Sequence, residues 1–498
     1  MLFEDRNQAV IDLMAIEKAY PVQRWKLNGI HLWPILKREL FFFEFAKLQK
    51  TKEKKAGRSL VGRSLALLKT KTAAYYQLFT LKLHPSDFVF AGAPAHRVTW
   101  NGKAYNRYFD PIITYLRSKN VNSYLTEYYP IDKKTVFHPD NFIAVATLYP
   151  AFKKSHPLRQ DWLKLVKEPV FQDFLLTLRI KFPDYEQDLE KKLLSVVDAI
   201  ASWRDLYLYL FKQTKPRYAV GLCYYTHALF GMNVAADELG IISVDMQHGG
   251  QGELHPAYTF FKVPKEGYNT LPKEFWCWDS SSYGHIKSWT KGKAHQVKLI
   301  GNPWFSFLKE TEKSFEGNFT GGKKLILFSH QPVVPALDLY LIQSIKETRG
   351  SYQWWIRLHP RISKAEKEAI EILLKGHGIF ESVELKKATQ LPLPIILNQT
   401  AVHLSKYSGT IIESIMSGVP TIILGEVGHR TFSQFIEEGK AIGIREPTTE
   451  QLNQALAKSI LWSARKNTPT VDYKQFINDY LNKHQHDQRN NFKAEKDP

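Results

Sequence analysis

The sequence predicts an α/β protein built from two open parallel sheets, each covered by helices on both faces, and three observations carry that prediction. The first is a complete strand–helix–strand unit. Arg217–Leu222 reads as a buried strand, Thr226–Leu239 as a helix stopped by Gly240, and Ile241–Gln247 as a second strand. The second is the same alternation repeated through the C-terminal half. Strands at Lys324–Phe328, Gln353–Leu358, Ala401–Ser405, Thr421–Leu424 and Gly443–Arg445 interleave with helices near 335–348, 363–376, 410–417, 431–438 and 449–461. The third is length, since 498 residues exceed one ordinary core. Two such sheets facing each other would leave a cleft at the carboxyl ends of their strands, where open α/β sheets bind ligands.

In chain order, residues 1–45 alternate aromatic and charged groups, and Tyr20-Pro21-Val22 and Asn28-Gly29-Ile30 punctuate two short helices, the second running from Trp33 to Phe43. Residues 46–83 are basic, from Lys47, Lys50 and Lys52 through Arg58 and Arg63 to Lys69, Lys71 and Lys82, against Glu53. Leu60, Leu65, Leu67, Leu68, Tyr75 and Leu78 interleave with these cations. That pattern fits a solvated helical face packed on the domain, or a helix lying on an anionic membrane surface. From Asp87 the pattern becomes strand then helix. Phe88–Gly92 is a buried strand, Arg107–Pro111 leads into a helix ending near Asn120, and Asn122 opens another strand. A long amphipathic helix runs from Glu186 to Phe211. The strand and turn Lys298–Pro303 mark a boundary. The reading divides the chain into a helical, basic segment 1–85 packed on the first domain, an acceptor-side domain 86–303, a donor-side domain 304–470, and a C-terminal helix with a disordered tail, 471–498.

Lys and Arg outnumber Asp and Glu by 68 to 49, a formal charge of +19. The excess favours acidic partners: anionic lipid headgroups, phosphorylated or carboxylated sugars, or nucleic acid. Nothing else in the chain supports nucleic acid, and none is expected as a partner. The two cysteines, Cys223 and Cys277, sit in apolar, strand-like stretches and read as buried thiols of a reducing cytoplasm. The first residues carry acids and no apolar core, which excludes a secretory signal, and no run of about 18 apolar residues predicts a membrane span. The expected location is the cytoplasm, with room for contact at the inner face of the cell membrane. There is no GxxxxGK[ST] segment, no GxGxxG after the early strands, no zinc spacing, and no Asp-x-Asp at a strand end. These absences argue against a P-loop NTPase, a dinucleotide enzyme and a metal-held donor.

Five groups of residues carry the expected chemistry. Arg357, His359 and Arg361 alternate toward one face at the end of an apolar strand, and Pro360 holds His359 extended. Arg offers a planar fork for phosphate oxygens. Ser408, Gly409 and Thr410 open a helix whose free N–H groups would form an anion site, with Glu413 one turn in, placed for ribose hydroxyls. A capping box of Thr410 and Glu413 explains the same residues without a ligand. Asp245, Gln247, His248 and Gly249 end the strand of the first unit. Asp245 reads as a general base or a nucleophile toward an acceptor, and equally as a carboxylate bonding loop amides. His248 reads as a proton shuttle or as a binder of carboxylate or phosphate. Ser329 and Gln331 end the first strand of the second domain, and His96 and Arg97 follow the first strand of the other, where they would meet the acceptor.

The run Arg357-Leu358-His359-Pro360, the segment Leu404-Ser405-Lys406-Tyr407-Ser408-Gly409-Thr410-Ile411-Ile412-Glu413, and Gly418-Val419-Pro420 together resemble the donor half of bacterial GT-B glycosyltransferases. Val244–Gly249 and Ile300–Pro303 resemble segments of the capsule and lipopolysaccharide members. The pairing of a His-Pro motif with a Ser/Thr motif is similar to that of enzymes using CMP-activated acidic sugars, the sialic acid and Kdo transferases. The resemblance spans roughly residues 215–465 and implies a GT-B fold of two Rossmann-like domains. It also implies that His359 and Pro360 hold cytidine and its phosphate, that Ser408 and Thr410 bind phosphate oxygens, and that Asp245 is the catalytic carboxylate. Gly409 stands where a second hydroxyl residue is common. The implied reaction moves a sugar from a nucleotide-activated donor to a glycan or glycolipid acceptor, with no metal and no cofactor. The alternatives are a CDP-glycerol-type polyol-phosphate transferase and a non-catalytic subunit of polysaccharide assembly.

Overall fold

A computed structural model describes residues 2–47, 60–183, 189–311, 322–331, 335–359, 362–461 and 471–482. The chain forms two compact units, Met1–Pro303 with Tyr473–Pro498, and Trp304–Asp472.

The first unit is built on a parallel sheet of strands β1 (Phe88–Gly92), β2 (Ser123–Glu127), β3 (Phe142–Ile143), β4 (Tyr218–Leu222), β5 (Ile242–Met246), β6 (Glu274–Cys277) and β7 (Gln296–Leu299). Their order across the sheet is β7-β6-β5-β4-β1-β2-β3. β1 and β4 are buried along their whole length, as the continuous apolar runs require of strands covered on both faces. Helix His227–Glu238 joins β4 to β5. Thr226 caps it by accepting from the Leu229 amide at 3.3 Å, and Gly240 at φ 67° ends it. The long helix is Leu189–Thr214, so the first residues expected for it, 186–188, lie outside the described residues.

The helices Leu2–Ala19 and Trp33–Lys47 are part of this unit's core rather than an appendage. Leu13, Ile16, Trp25, Trp33 and Leu36 pack in one cluster with Phe171, Phe174, Tyr258 and Phe275. A buried ion pair joins them, Lys37 Nζ to Glu17 Oε2 at 2.8 Å. A helix at 473–482 returns to the same unit: Tyr480 packs against Trp276 and Tyr218, and its hydroxyl donates to Glu274 Oε2 at 2.5 Å.

The second unit carries β8 (Lys324–Ser329), β9 (Tyr352–Arg357), β10 (Val383–Glu384), β11 (Thr400–Ser405), β12 (Thr421–Leu424) and β13 (Ala441–Ile444), all parallel, in the order β10-β9-β8-β11-β12-β13. In both sheets the first strand is central and the order reverses beside it. That reversal is the place where open α/β sheets bind ligands, beyond the carboxyl ends of the strands. In the second unit it lies between β8 and β11, and in the first between β1 and β4.

Candidate functional site

At the carboxyl edge of the second sheet, the register sets Arg357, Ser329 and Ser405 abreast. His403 ties this row together. Its Nε2 lies 2.9 Å from Ser329 Oγ and 3.4 Å from Thr410 Oγ1, and Ser405 Oγ donates to the Ser329 carbonyl at 2.9 Å. Burial pulls the His403 imidazole down to about 3, so it is a neutral bridge at pH 7. Sequence reasoning missed it; the signal was one imidazole inside the apolar run Val402-His403-Leu404. His330 follows β8 and is also buried. Burial, then the charges of His359 and Lys406, pull it down to about 4. Gln331 is buried beside it, while His359, Ser408, Gly409, Thr410 and Glu413 are half-buried at the same edge.

Several expectations change here. β9 stops at Arg357, so the alternation that was to align Arg357 with His359 and Arg361 ends before His359. Pro360 and Arg361 lie outside the described residues. The Arg357 guanidinium donates through one nitrogen to the carbonyls of Ala388 and Leu391, both at 2.7 Å, where it caps the helix Lys386–Gln390. The helix after β11 is Thr410–Met416, and its N-cap is Gly409, with no side-chain cap. The capping box of Thr410 and Glu413 therefore does not form. Its early amides are also taken: Thr410 N–H donates to Ser408 Oγ at 3.3 Å, and Ile411 N–H to the Ser408 carbonyl at 3.1 Å. The reason is local, since the chain tightens into a turn before a helix of seven residues. What this edge offers a ligand is mainly its hydroxyls and imidazoles.

The first unit's edge is organised by carboxylates that never reach its surface. Asp245 is 0% exposed; Oδ1 accepts from the Tyr224 amide at 3.0 Å and Oδ2 from the Tyr258 hydroxyl at 2.8 Å. Burial pushes its carboxyl up to about 7, opposed by those bonds. The reading as a carboxylate that bonds loop amides is the one this placement supports, and the expectation of a base meeting an acceptor gives way to it. Gln247 is likewise consumed: its amide donates to Asp279 Oδ2 at 2.6 Å and Ser282 Oγ at 3.0 Å, and its oxygen accepts from the Trp278 amide. Arg97 faces inward to Glu127 at 2.6 Å and to the Ala104 carbonyl at 2.6 Å, so it has no free face for an acceptor. Asp245 and Gln247 were expected to meet substrate from a strand end, and Arg97 from the segment that follows β1. Each instead locks the loop that follows its strand.

Asp245 holds a turn in which Cys223 takes φ 58°, just past β4. Cys223 is half-buried and stands just outside the strand rather than in it, whereas Cys277 is buried within β6. Its Sγ stands 3.1 Å from His248 Nε2. His96 packs edge-on against Tyr108, whose hydroxyl donates to the His248 carbonyl at 3.4 Å. A polar cavity of about 700 Å³ lies at the opposite, amino edge of this sheet, lined by Asp87, Lys119, Arg217 and Gln475 among others, away from these groups. Among the described residues no group of three or more His, Cys, Asp or Glu side chains is placed to hold a metal ion.

No family model matches this chain, and no curated protein matches it. Solved structures do. A putative UDP-N-acetylglucosamine 2-epimerase from Listeria monocytogenes aligns with a TM-score of 0.51 at 14% identity, covering 81% of this chain and 97% of that one. The UDP-GlcNAc 2-epimerase from Neisseria meningitidis bound to UDP-GlcNAc gives 0.48 at 16% identity, covering 81% and 100%. The calicheamicin glycosyltransferase CalG4 gives 0.45 at 11% identity, covering 80% and 99%. At such identities the likeness speaks for the fold alone. The first of these alignments, together with the two parallel sheets, supports a GT-B fold of two Rossmann-like units.

Proposed function

We propose that this protein is a glycosyltransferase that takes a sugar from a nucleotide-activated donor and passes it to a cell-surface polysaccharide or lipid-linked acceptor. The observation that carries the reading is the chain of Ser329, His403 and Thr410 at the strand-order reversal of the second unit. There, fixed hydroxyls and the neighbouring His330, His359, Ser408 and Gly409 would receive the phosphate of the departing nucleotide and stabilise its growing charge. The donor on this reading is a CMP-linked acidic sugar, following the His-Pro and Ser/Thr motifs. Asp245 acts as a positioning residue for the turn at Cys223, and His248 is the group nearest the acceptor.

A thermal-shift screen against CMP, CDP, UDP, GDP and ADP tests the donor. Stabilisation by cytidine nucleotides is expected, by about 2–3 kcal/mol at a hundredfold excess over Kd. A response to uridine nucleotides alone would remove the CMP-sugar reading. It would favour the second reading, an epimerase, which the first comparison suggests. An epimerase isomerises UDP-N-acetylglucosamine without an acceptor, whereas a transferase needs one.

Peripheral contact with an anionic membrane surface belongs to the same proposal. Helix Leu60–Thr80 leaves Tyr76 70% and Phe79 91% exposed beside exposed Lys69 and Lys71, and buries Ala74 on its inner side. Aromatic and cationic groups on one outer face suit lipid headgroups, and the basic run before the helix adds charge of the same sign. Among the described residues no helix is long and apolar enough to cross a membrane. The protein is expected to sediment with vesicles containing phosphatidylglycerol and not with pure phosphatidylcholine, and the F79S/Y76S variant is expected to stay in solution. Wild-type protein that ignores the anionic vesicles would refute the contact.

A further inference from the structure

Three loops converge at the carboxyl edge of the first sheet, after β1, β4 and β5. His96 and Arg107 face each other across the base of a two-stranded hairpin, Arg97–Trp100 paired with Lys103–Asn106, and the Arg107 amide donates to the His96 carbonyl at 3.2 Å. Tyr108 is the hub. The Arg107 guanidinium lies 5.3 Å from its ring centre, His96 meets its ring at 6.0 Å, its other neighbour is Trp278 at 5.7 Å, and its hydroxyl reaches the His248 carbonyl.

The Cys223 contact bears on the proton of His248. Burial raises the thiol and pulls the imidazole down to about 4, so both are neutral at pH 7. A thiol that donates to Nε2 leaves the imidazole hydrogen on Nδ1, and that is the tautomer we assign to His248. That Nδ1 is buried and meets no hydrogen-bond partner among the described residues. The same holds for His96 Nδ1 and Arg107 Nε. Unspent buried polar atoms call for an explanation. Here the three side chains are near enough that the charges of His248 and Arg107 act on His96 and that of Arg107 on His248, one of the three is a permanent cation, and Gly249 next to His248 has open space where a side chain would be.

We propose that His96, Arg107 and His248 form a binding site for an oxyanion group, carboxylate or phosphate, carried by the second substrate, with Cys223 as the residue that fixes the His248 tautomer. The assignment rests on the transferase reading only for calling the bearer an acceptor; the anion site stands by itself.

The test is calorimetric titration of the full chain with glucuronate and with inorganic phosphate, glucose serving as the neutral control. Glucuronate or phosphate should bind and glucose should not, and the stronger of the two identifies the group. Arg107→Gln is expected to weaken binding about tenfold or more, the scale of a charged hydrogen bond. His248→Gln keeps an amide oxygen to accept from Cys223 but loses the Nδ1 donor, and should weaken it comparably. His248→Asn retains a donor at the Nδ1 position, and Cys223→Ser retains the donor to Nε2. Both are expected to bind within about threefold of wild type. A variant that no longer melts cooperatively is judged through its conservative partner, His248→Asn or Arg107→Lys. Binding that is indifferent to Arg107→Gln but lost in Thr410→Val would put the probe in the second unit and overturn the proposal. So would equal losses in His248→Gln and His248→Asn. The nucleotide response of the Arg107, His248 and Cys223 variants should not change. If no nucleotide binds while Arg107→Gln still abolishes glucuronate binding, the transferase reading fails and the anion site remains.

Discussion

Replacing Glu17 by alanine is expected to cost about 3–5 kcal/mol of stability, the scale of a buried ion pair broken from one side. Glu17 and Lys37 are both sealed from solvent. One Glu17 oxygen takes the Lys37 ammonium, and the other accepts the amides of Phe261 and Lys262 at 2.8 and 3.1 Å. Lys37 also donates to the Thr259 carbonyl and lies over the Phe260 ring at 4.3 Å. Burial pulls the ammonium's pKa down, and Glu17 opposes that. Without the carboxylate, a cation and two amides are stranded in the core. Urea unfolding checks this, with the transition of the first unit followed by its tryptophans. The double variant Glu17→Leu/Lys37→Met should recover most of the loss, because no charge is then buried. A loss below about 1 kcal/mol for Glu17→Ala would mean water reaches the pair.

The second large effect is expected at Gly428. A Cβ there would stand 1.7 Å from the Lys406 carbonyl oxygen and 2.8 Å from Ile423. The obstacle is backbone, so no rotamer change relieves it. Gly428→Ala should destabilise the second unit by about 3 kcal/mol, the upper end of ordinary overpacking. It should also blunt the nucleotide response, because Lys406 begins the turn that presents Ser408 and Thr410. Gly376, which has nothing within 4 Å of a Cβ, is the matched control. Alanine there should leave both the unfolding midpoint and the nucleotide shift unchanged.

Much of the fold was legible because buried parallel strands read as apolar runs of fixed length. Thr421–Leu424 is found as read, β11 begins one residue before its expected limit, and β9 is shifted by one residue at both ends. The two-residue strands β3 and β10 were invisible, being too short to show a period. The carboxyl edges of the two sheets were legible in place, the roles of the residues there less so. Asp245, Gln247 and Arg97 do stand where chemistry would be, yet sequence cannot say whether a polar group at a strand end faces a ligand or the loop behind it. That is decided by partners far off in the chain: Tyr258 for Asp245, Asp279 for Gln247, Glu127 for Arg97. Cys223 was read only as a buried thiol and Arg107 only as the lead into a helix for the same reason, since their meaning comes from neighbours on other loops.

The first unit is discontinuous in the chain, and this bears on how the protein emerges from the ribosome. The residues at 473–482 that cover Tyr218, Glu274 and Trp276 are made only after the entire second unit. Until then the nascent first unit exposes an aromatic strip on its half-finished wall. Translation must therefore run some 170 residues past Pro303 before that wall is closed, and the second unit matures while the first still waits.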